Sequence, residues 1–174
     1  MRTYRVYFVV ILFLFQVALC QSIAWATDDD LKLGDRVPDK TEAAVVKEAT
    51  APIKRGSPEF DALTVNANAD VGFDSDDAHR MTAKVSDKVN ALASLVKVEW
   101  TGYKLHVNAA WSDDPVHKPK STHLEGRAVD IVVEDSTGKK DKTKLGRLGR
   151  LAVKAGFEWV WFEDANHVHA SMSK

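Results

Sequence analysis

The stretch Ser121–Asp130, with the sequence STHLEGRAVD, decides how the rest of this 174-residue chain is interpreted. It brings a histidine and an aspartate into one short segment. Near the C-terminus, Glu163 and the segment His167-Val168-His169 add a glutamate and two more histidines. Histidines, an aspartate and a spare glutamate are the ligands and the base of a zinc hydrolase site. The sequence therefore points first to metal chemistry.

Two predicted strands carry most of these residues. Ala128–Val133 is apolar and branched on both faces except at Asp130, a pattern typical of a buried strand. An aspartate buried in this way stays ionised only beside a cation or strong hydrogen-bond donors. His167 and His169 are two residues apart, so in a strand both point to the same face. A zinc ion held by Asp130, His123 and one histidine of this pair supplies the required cation.

Glu163 lies just across a predicted turn from the histidine pair and is free to act as a general base on a water molecule. The second histidine of the pair is then available to orient that water or to stabilise an oxyanion. In the alternative interpretation no metal is bound, and Asp130 pairs with Arg127 or Lys104. The spacing leaves both interpretations open, because a His-x6-Asp pair is far less specific than paired cysteine motifs.

The periodicity of the apolar residues predicts the fold class. Apolar residues between Ala78 and Trp100 recur at three- and four-residue steps, which predicts an amphipathic helix. A second helix is predicted over roughly Lys142–Lys154, with Gly156 as its C-terminal stop. The predicted strands are Lys104–Ala109, Ala128–Val133, Phe157–Phe162 and His167–Met172, of which the last two form a hairpin. Two main helices and mainly antiparallel strands predict a single α+β domain.

Residues 1–26 have the features of a secretory signal peptide, with two arginines, an apolar run from Val6 to Cys20 and a small-x-small cleavage site at Ala24–Ala26. This predicts a secreted, extracellular protein. Removing the segment takes away two of the 24 basic residues and none of the 25 acidic residues, which leaves a net charge of −3. Such a charge indicates no nucleic-acid partner. Cys20 is the only cysteine, and membrane association is expected only if it is lipidated.

Residues 27–49 are rich in Asp, Lys, Glu and Thr and contain no aromatic residue. They are interpreted as a polar, solvated leader, within which Ala43–Ala49 is predicted to form a short helix. The aromatic residues of the mature chain all lie beyond this leader, from Phe60 onward. That part of the chain is long enough to bury one hydrophobic core. The folded domain is therefore predicted over residues 50–174.

Five segments of the chain form patterns longer than the metal-binding residues require: Arg55–Phe60, Asp87–Ala93, Trp111–Asp114, His123–Ile131 and Arg150–Val160. Together they resemble the amino-terminal signalling domain of hedgehog proteins, over roughly residues 50–174 of this chain. The resemblance implies an α+β domain of the kind that hedgehog ligands share with zinc-dependent D-alanyl-D-alanine carboxypeptidases. The pattern of those enzymes, Ser-x-His-x-x-Gly-x-Ala-x-Asp, is matched by Ser121–Asp130 at every fixed position.

The resemblance assigns roles to individual residues. It implies that the zinc ligands are His123, Asp130 and His169. Glu163 and His167 then correspond to the general base and its helper in the related enzymes.

The resemblance also implies a calcium site, for which Asp76, Asp77 and Asp114 are the candidates. Ala109 and Ser112 stand where the family has acids. Fewer carboxylates weaken a site for a hard cation, so this site is expected to be weaker than in the family.

Three functions remain open. The first is a secreted signalling ligand that carries zinc and acts by binding cell-surface receptor or co-receptor proteins, without turnover. The second is a secreted zinc-dependent peptidase or carboxypeptidase in which Glu163 is the base. The third is a metal-free extracellular binding domain on the same fold. Likeness outside the metal-binding residues, such as Leu151–Phe157, favours the signalling ligand and therefore a protein that is not an enzyme.

Overall fold

The computed structural model describes residues 29–114 and 118–174, which form a layer of strands and a layer of helices. The strands are β1 (Arg36–Val37), β2 (Thr64–Val65), β3 (Val71–Phe73), β4 (Arg80–Met81), β5 (Tyr103–Ala109), β6 (Ala128–Asp135), β7 (Trp159–Trp161) and β8 (Val168–Ser171). The α-helices are α1 (Glu42–Val45), α2 (Pro58–Asp61), α3 (Ala83–Glu99) and α4 (Leu145–Ala155). Short 3-10 helices span Asp77–His79, Thr122–Glu125 and Lys142–Lys144.

Six strands form the main sheet in the order β1-β7-β8-β6-β5-β3, and β2 pairs separately with β4. Neighbouring strands of the main sheet are antiparallel except β3 and β5, which are parallel. The predicted hairpin is present as β7 and β8. The predicted α+β class, with a mainly antiparallel sheet, is confirmed.

Local sequence signals mark the start of α3 and the end of α4. Helix α3 begins at Ala83, where the Thr82 side chain accepts a hydrogen bond from the N–H of Val85. Helix α4 ends at Ala155 and is followed by Gly156, whose φ of 90° is in the left-handed region that favours glycine. Both predicted helices are confirmed, with later starts than expected. Residues 77–81 form a 3-10 helix and strand β4 before α3, and residues 142–144 form a 3-10 turn before α4.

One face of the main sheet packs against α3 and α4 to form the hydrophobic core. The buried stripe of α3 lies in the same cluster as Leu105 of β5 and Ile131 of β6. Full burial of each large apolar side chain contributes about 1.5–3 kcal/mol. Side chains alternate along a strand, so Asp130, next to Ile131, points to the opposite face of the sheet. The helices therefore leave that face open for a site.

The segment before the predicted domain packs against it, which differs from the expected solvated leader. Leu31, Val46 and Ala49 are buried, and β1 pairs with β7 as an edge strand of the main sheet. The predicted short helix is present as α1 but ends earlier, before Lys47, which has a φ of 61°. The apolar residues are too sparse in this segment to outweigh its polar composition in a sequence pattern.

Arg127 anchors the end of this segment. Its guanidinium is buried and donates hydrogen bonds to the carbonyl oxygens of Val46 at 3.0 Å and Lys47 at 3.0 Å. Its Nε also donates to the Glu125 carboxylate at 2.7 Å. A buried arginine needs such partners, because an unpaired charge in the interior is strongly destabilising. Arg127 therefore fixes the path of the chain before residue 50.

The predicted signal peptide and Cys20 lie outside the described residues. Within residues 29–114 and 118–174, no helix combines the length and the apolar character that crossing a membrane requires.

The Glu125 carboxyl makes stability depend on pH. Burial raises its pKa, but hydrogen bonds from the N–H of Ala51, from Arg127 and from the N–H of Thr50 lower it to about 2. A group with a folded-state pKa below its unfolded value of 4.5 stabilises the protein above pH 4.5, and this contribution is lost as the pH falls toward 2. We expect Glu125→Gln to lower the free energy of unfolding by about 3 kcal/mol at pH 7 and by roughly half as much or less at pH 3.

Urea unfolding of the wild type and the variant at both pH values measures this difference. The control is Asp70→Asn, which removes an exposed ion pair with Lys97. It is expected to change stability by less than about 1 kcal/mol at either pH. An effect of Glu125→Gln that does not change with pH would show that the charge of Glu125 contributes nothing.

Candidate metal centre

The pairing of β6 with β8 places two of the predicted ligands next to each other. Asp130 lies directly opposite His169 in this antiparallel pair. Residues opposite each other on neighbouring strands point to the same face, so their side chains meet on the face away from the helices. On the next strand, Trp161 of β7 lies opposite His169 and borders the same area.

His123 reaches these two residues from the 3-10 helix Thr122–Glu125. The N–H of His123 donates to the Ser121 hydroxyl, and Gly126, with a φ of 64°, ends the helix. A side chain at Gly126 would be strained at this φ and would also approach Leu63 to 3.0 Å. The Nδ1–H of His123 donates to the carbonyl oxygen of Ala110 at 2.6 Å. This hydrogen bond fixes the tautomer and leaves the Nε2 lone pair facing the site.

Three atoms form a triangle with nearly equal sides. The His123 Nε2 atom lies 3.3 Å from both His169 Nδ1 and Asp130 Oδ1, and the latter two atoms are 3.1 Å apart. Nitrogen and oxygen ligands bind zinc at about 2.0–2.2 Å, so two ligands of a tetrahedral zinc ion lie about 3.3 Å apart. The triangle therefore has the size of one face of a zinc coordination tetrahedron, and these residues fit the ion.

The hydrogen bonds around the triangle leave it without a donor when both imidazoles are neutral. The Nε2–H of His169 donates to Glu42 at 3.1 Å, which leaves its Nδ1 as an acceptor. His123 Nε2 is also an acceptor, and an ionised Asp130 carboxylate can only accept. Three lone pairs at this distance repel each other unless a cation lies between them. The cation is either a proton or a metal ion.

In the metal-free protein a proton on His169 meets this requirement. Burial lowers the pKa of His169, but its hydrogen bonds to Asp130 and Glu42 raise it to about 10. Burial likewise raises the pKa of the Asp130 carboxyl, while His123 and His169 bring it well below its usual range. The buried site thus contains an ionised aspartate beside a protonated imidazole at neutral pH.

Glu163 and His167 form a second group at the edge of the triangle. The His167 Nε2 atom lies 3.4 Å from Glu163 Oε2 and 3.7 Å from Asp130 Oδ1. Burial lowers the pKa of His167, but Glu163, Asp130 and Asp164 raise it. The residue before β8 is His167, so the two histidines do not share a strand as expected. His169 joins His123 and Asp130, while His167 turns toward Glu163.

Both groups open into one cleft with a volume of about 500 Å³. Its other walls include Trp161, Lys118 and Lys120. The buried triangle is thus reached from solvent through a mixed polar and aromatic cleft.

The alternative partners of Asp130 are occupied elsewhere. Arg127 pairs with Glu125 at 2.7 Å, and Lys104 pairs with Glu134 at 3.0 Å. The charge of Asp130 is therefore balanced by histidines and not by these two cations.

Glu42 is a residue of this site that the sequence analysis missed. Its Oε1 atom accepts hydrogen bonds from His169 at 3.1 Å and from the Thr122 hydroxyl at 2.6 Å. Burial raises the pKa of the Glu42 carboxyl, but His169 and Thr122 lower it to about 2. A single glutamate in a polar segment carries no pattern that links it to a histidine far along the chain.

The acids predicted to bind calcium have other surroundings. Both carboxylate oxygens of Asp77 accept hydrogen bonds from Arg55, at 2.9 and 2.7 Å, and Arg55 also donates to Asp113 at 3.0 Å. Asp76 is exposed, and the N–H of Asp114 donates to the Ser112 hydroxyl. Among the described residues, the two clusters suited to a metal contain none of these aspartates. An arginine thus supplies positive charge beside Asp77 and Asp113. Calcium binding by Asp76, Asp77 and Asp114 stays a prediction.

Comparisons with known proteins agree with the fold. The family model of the hedgehog amino-terminal signalling domain matches residues 27–171. Sonic hedgehog protein of Xenopus laevis is 44% identical over 124 residues, which cover 69% of this chain and 27% of that protein. Indian hedgehog protein of Gallus gallus is 42% identical over 140 residues, which cover 78% of this chain and 33% of that protein. Protein hedgehog of Drosophila ananassae is 40% identical over 125 residues, which cover 70% of this chain and 26% of that protein.

The matched part of this chain thus spans between a quarter and a third of the length of these three relatives. The family model nevertheless covers most of the chain, from residue 27 to residue 171. The chain belongs to the hedgehog amino-terminal signalling domain family.

Proposed function

We propose that this protein is a secreted signalling ligand that carries a zinc ion on His123, Asp130 and His169 and acts by binding a cell-surface receptor or co-receptor. The single observation that carries the zinc assignment is the triangle of three acceptor atoms with sides of 3.1–3.3 Å. Membership of the hedgehog signalling family supports the signalling role. The extracellular location rests on the signal peptide predicted over residues 1–26 together with that family.

The ion has a structural role in this proposal. When bound, zinc supplies the positive charge that holds three buried ligands together and, in the enzymatic alternative, the Lewis acidity that activates an amide carbonyl. The ligands come from β6, β8 and the 3-10 helix Thr122–Glu125. Metal binding therefore joins elements that are distant in sequence, and its free energy adds to the stability of the fold.

A second candidate function is amide hydrolysis, supported by the position of Glu163 and His167. The Glu163 side chain is 36% exposed and lies in the cleft, where its carboxylate is able to take a proton from water. His167, 3.4 Å from Glu163, is able to hold that carboxylate or donate a hydrogen bond to a developing oxyanion. In this alternative the domain is a zinc peptidase on a fold shared with D-alanyl-D-alanine carboxypeptidases. The family favours the signalling role, because fold and site geometry alone do not establish turnover.

The ligand assignment is tested by single substitutions. We expect His123→Ala, Asp130→Ala and His169→Ala each to remove most of the zinc. Each should also lower the melting temperature by about 10 °C, because losing an ion present at 100 to 1,000 times its Kd removes about 3–4 kcal/mol. His167→Ala is the matched control and is expected to keep its zinc. Elemental analysis and calorimetry of the purified variants measure both effects, and full zinc content in His169→Ala would contradict the assignment.

Zinc binding is expected to release protons. The pKa of His169 is about 10 without metal, so this imidazole is protonated at pH 7 and must lose its proton to become a ligand. We expect release of about one proton per zinc ion, and an apparent affinity that rises about tenfold per pH unit between pH 6 and pH 8. Titration calorimetry in two buffers of different ionisation enthalpy measures the released proton. Affinity that is constant over this range would rule out the protonated imidazole.

The peptidase alternative is tested with zinc-loaded protein and a varied panel of peptides. If the protein is a non-catalytic signalling ligand, we expect the wild type to hydrolyse these peptides at the same rate as Glu163→Gln or more slowly. This variant keeps the zinc ligands. If the wild type turns over a peptide at least about 100-fold faster than Glu163→Gln, the loss of a general base explains the difference. The enzymatic role would then replace the non-catalytic one.

A further inference from the structure

The N-terminal strap, defined as residues 29–49, contributes one carboxylate to the metal centre. A single oxygen of Glu42 accepts hydrogen bonds from the Nε2–H of His169 at 3.1 Å and from the Thr122 hydroxyl at 2.6 Å. Thr122 directly precedes His123 in the same 3-10 helix. One oxygen atom therefore links the strap to both elements that carry the histidine ligands.

The contact with His169 determines which ring nitrogen faces the other ligands. With its Nε2–H directed at Glu42, His169 directs Nδ1 at His123 Nε2, 3.3 Å away, and at Asp130 Oδ1, 3.1 Å away. Nδ1 is therefore the nitrogen that offers a lone pair to a metal once it loses its proton. Carboxylates that accept the second N–H of a metal-binding histidine fix its tautomer and increase its basicity. Removal of such a partner typically lowers metal affinity about 10- to 100-fold.

The strap is held by its backbone on both sides of Glu42. Before it, the indole N–H of Trp159 donates to the carbonyl oxygen of Lys40 at 2.8 Å. After it, Arg127 donates to the carbonyl oxygens of Val46 and Lys47. Because both anchors belong to the domain, the carboxylate reaches His169 only while the strap is docked.

We propose that Glu42 is a positioning residue for His169, and that it couples the docking of the N-terminal strap to metal binding. This inference rests on the zinc centre of the proposed function. The coupling is reciprocal: a docked strap raises the affinity for zinc, and bound zinc stabilises the docked strap by the same free energy. A binding event that released the strap from the domain would therefore also lower the affinity for zinc.

The experiment compares the wild type with Glu42→Ala and with the control Glu48→Ala. Glu48 is also in the strap and lines the same cleft, but its carboxylate pairs with Lys120 and is 47% exposed. Zinc affinity is measured by competition with a chromophoric chelator. Hydrogen exchange of the strap amides, residues 36–47, is measured in each protein with and without zinc.

Coupling predicts that Glu42→Ala binds zinc about 10- to 100-fold more weakly than the wild type and that Glu48→Ala binds it equally well. In the wild type, zinc should slow exchange of the strap by a similar factor, and in Glu42→Ala it should have little effect. A role for Glu42 in packing alone would not make strap exchange depend on zinc.

Two results would overturn the inference, and they differ from failure of the metal centre itself. Equal zinc affinity of Glu42→Ala and the wild type would remove the positioning role while the zinc centre stands. Strap exchange that does not respond to zinc in the wild type would remove the coupling, even if Glu42→Ala does not fold. A wild type that binds no zinc at all would instead reject the proposed centre, and the inference with it.

Discussion

Three hydrogen-bond acceptors face one another across 3.1–3.3 Å where β6, β8 and the 3-10 helix Thr122–Glu125 meet. Asp130 and His169 are brought together by the register of β6 and β8, and a slip of one residue would turn one of them to the core. Their lone pairs require a cation, and the buried position excludes the bulk water that would otherwise screen them. The register of β6 and β8 therefore brings the acceptors together, and the cation between them stabilises that register.

The short segment that provides His123 also organises the N-terminal strap. Within it, Gly126 supplies the left-handed turn, and Glu125 and Arg127 form a buried ion pair. Arg127 donates to carbonyl groups of the strap, and Glu125 accepts from the N–H groups of Thr50 and Ala51, directly after the strap. Removing one partner of a buried ion pair typically costs about 3–5 kcal/mol. In turn, the Glu42 carboxylate of the strap accepts a hydrogen bond from His169 on β8. Metal ligands and strap anchors thus lie in one continuous polar network on the sheet face away from the helices.

Much of the fold could be predicted because its longer elements repeat their apolar residues regularly. Helices α3 and α4 and strands β5, β6, β7 and β8 match the predicted segments within a few residues. The packing of the strap could not be predicted, because Leu31, Val46 and Ala49 are scattered among polar residues. Its docking depends on backbone carbonyl groups, which are the same for every residue type and leave no trace in the sequence.

The three residues of the triangle could be predicted from the sequence, but the residues that contact them could not. Spacing and family resemblance selected His123, Asp130 and His169. His167, which precedes β8, lies 3.7 Å from Asp130 and contacts Glu163. Glu42 lay beyond prediction because a contact over 127 residues has no local signal. The use of Arg55 as the cation for Asp77 and Asp113 was equally hidden, since sequence alone does not show which opposite charges meet.

The zinc centre is best tested by a crystal structure of the purified protein with anomalous diffraction data collected on both sides of the zinc absorption edge. We expect one zinc peak per chain, about 2.0–2.2 Å from His123 Nε2, Asp130 Oδ1 and His169 Nδ1. A map with zinc on Glu163 and His167 would contradict it. So would a map without a metal peak, from crystals grown with zinc, in which the three side chains keep the same contacts.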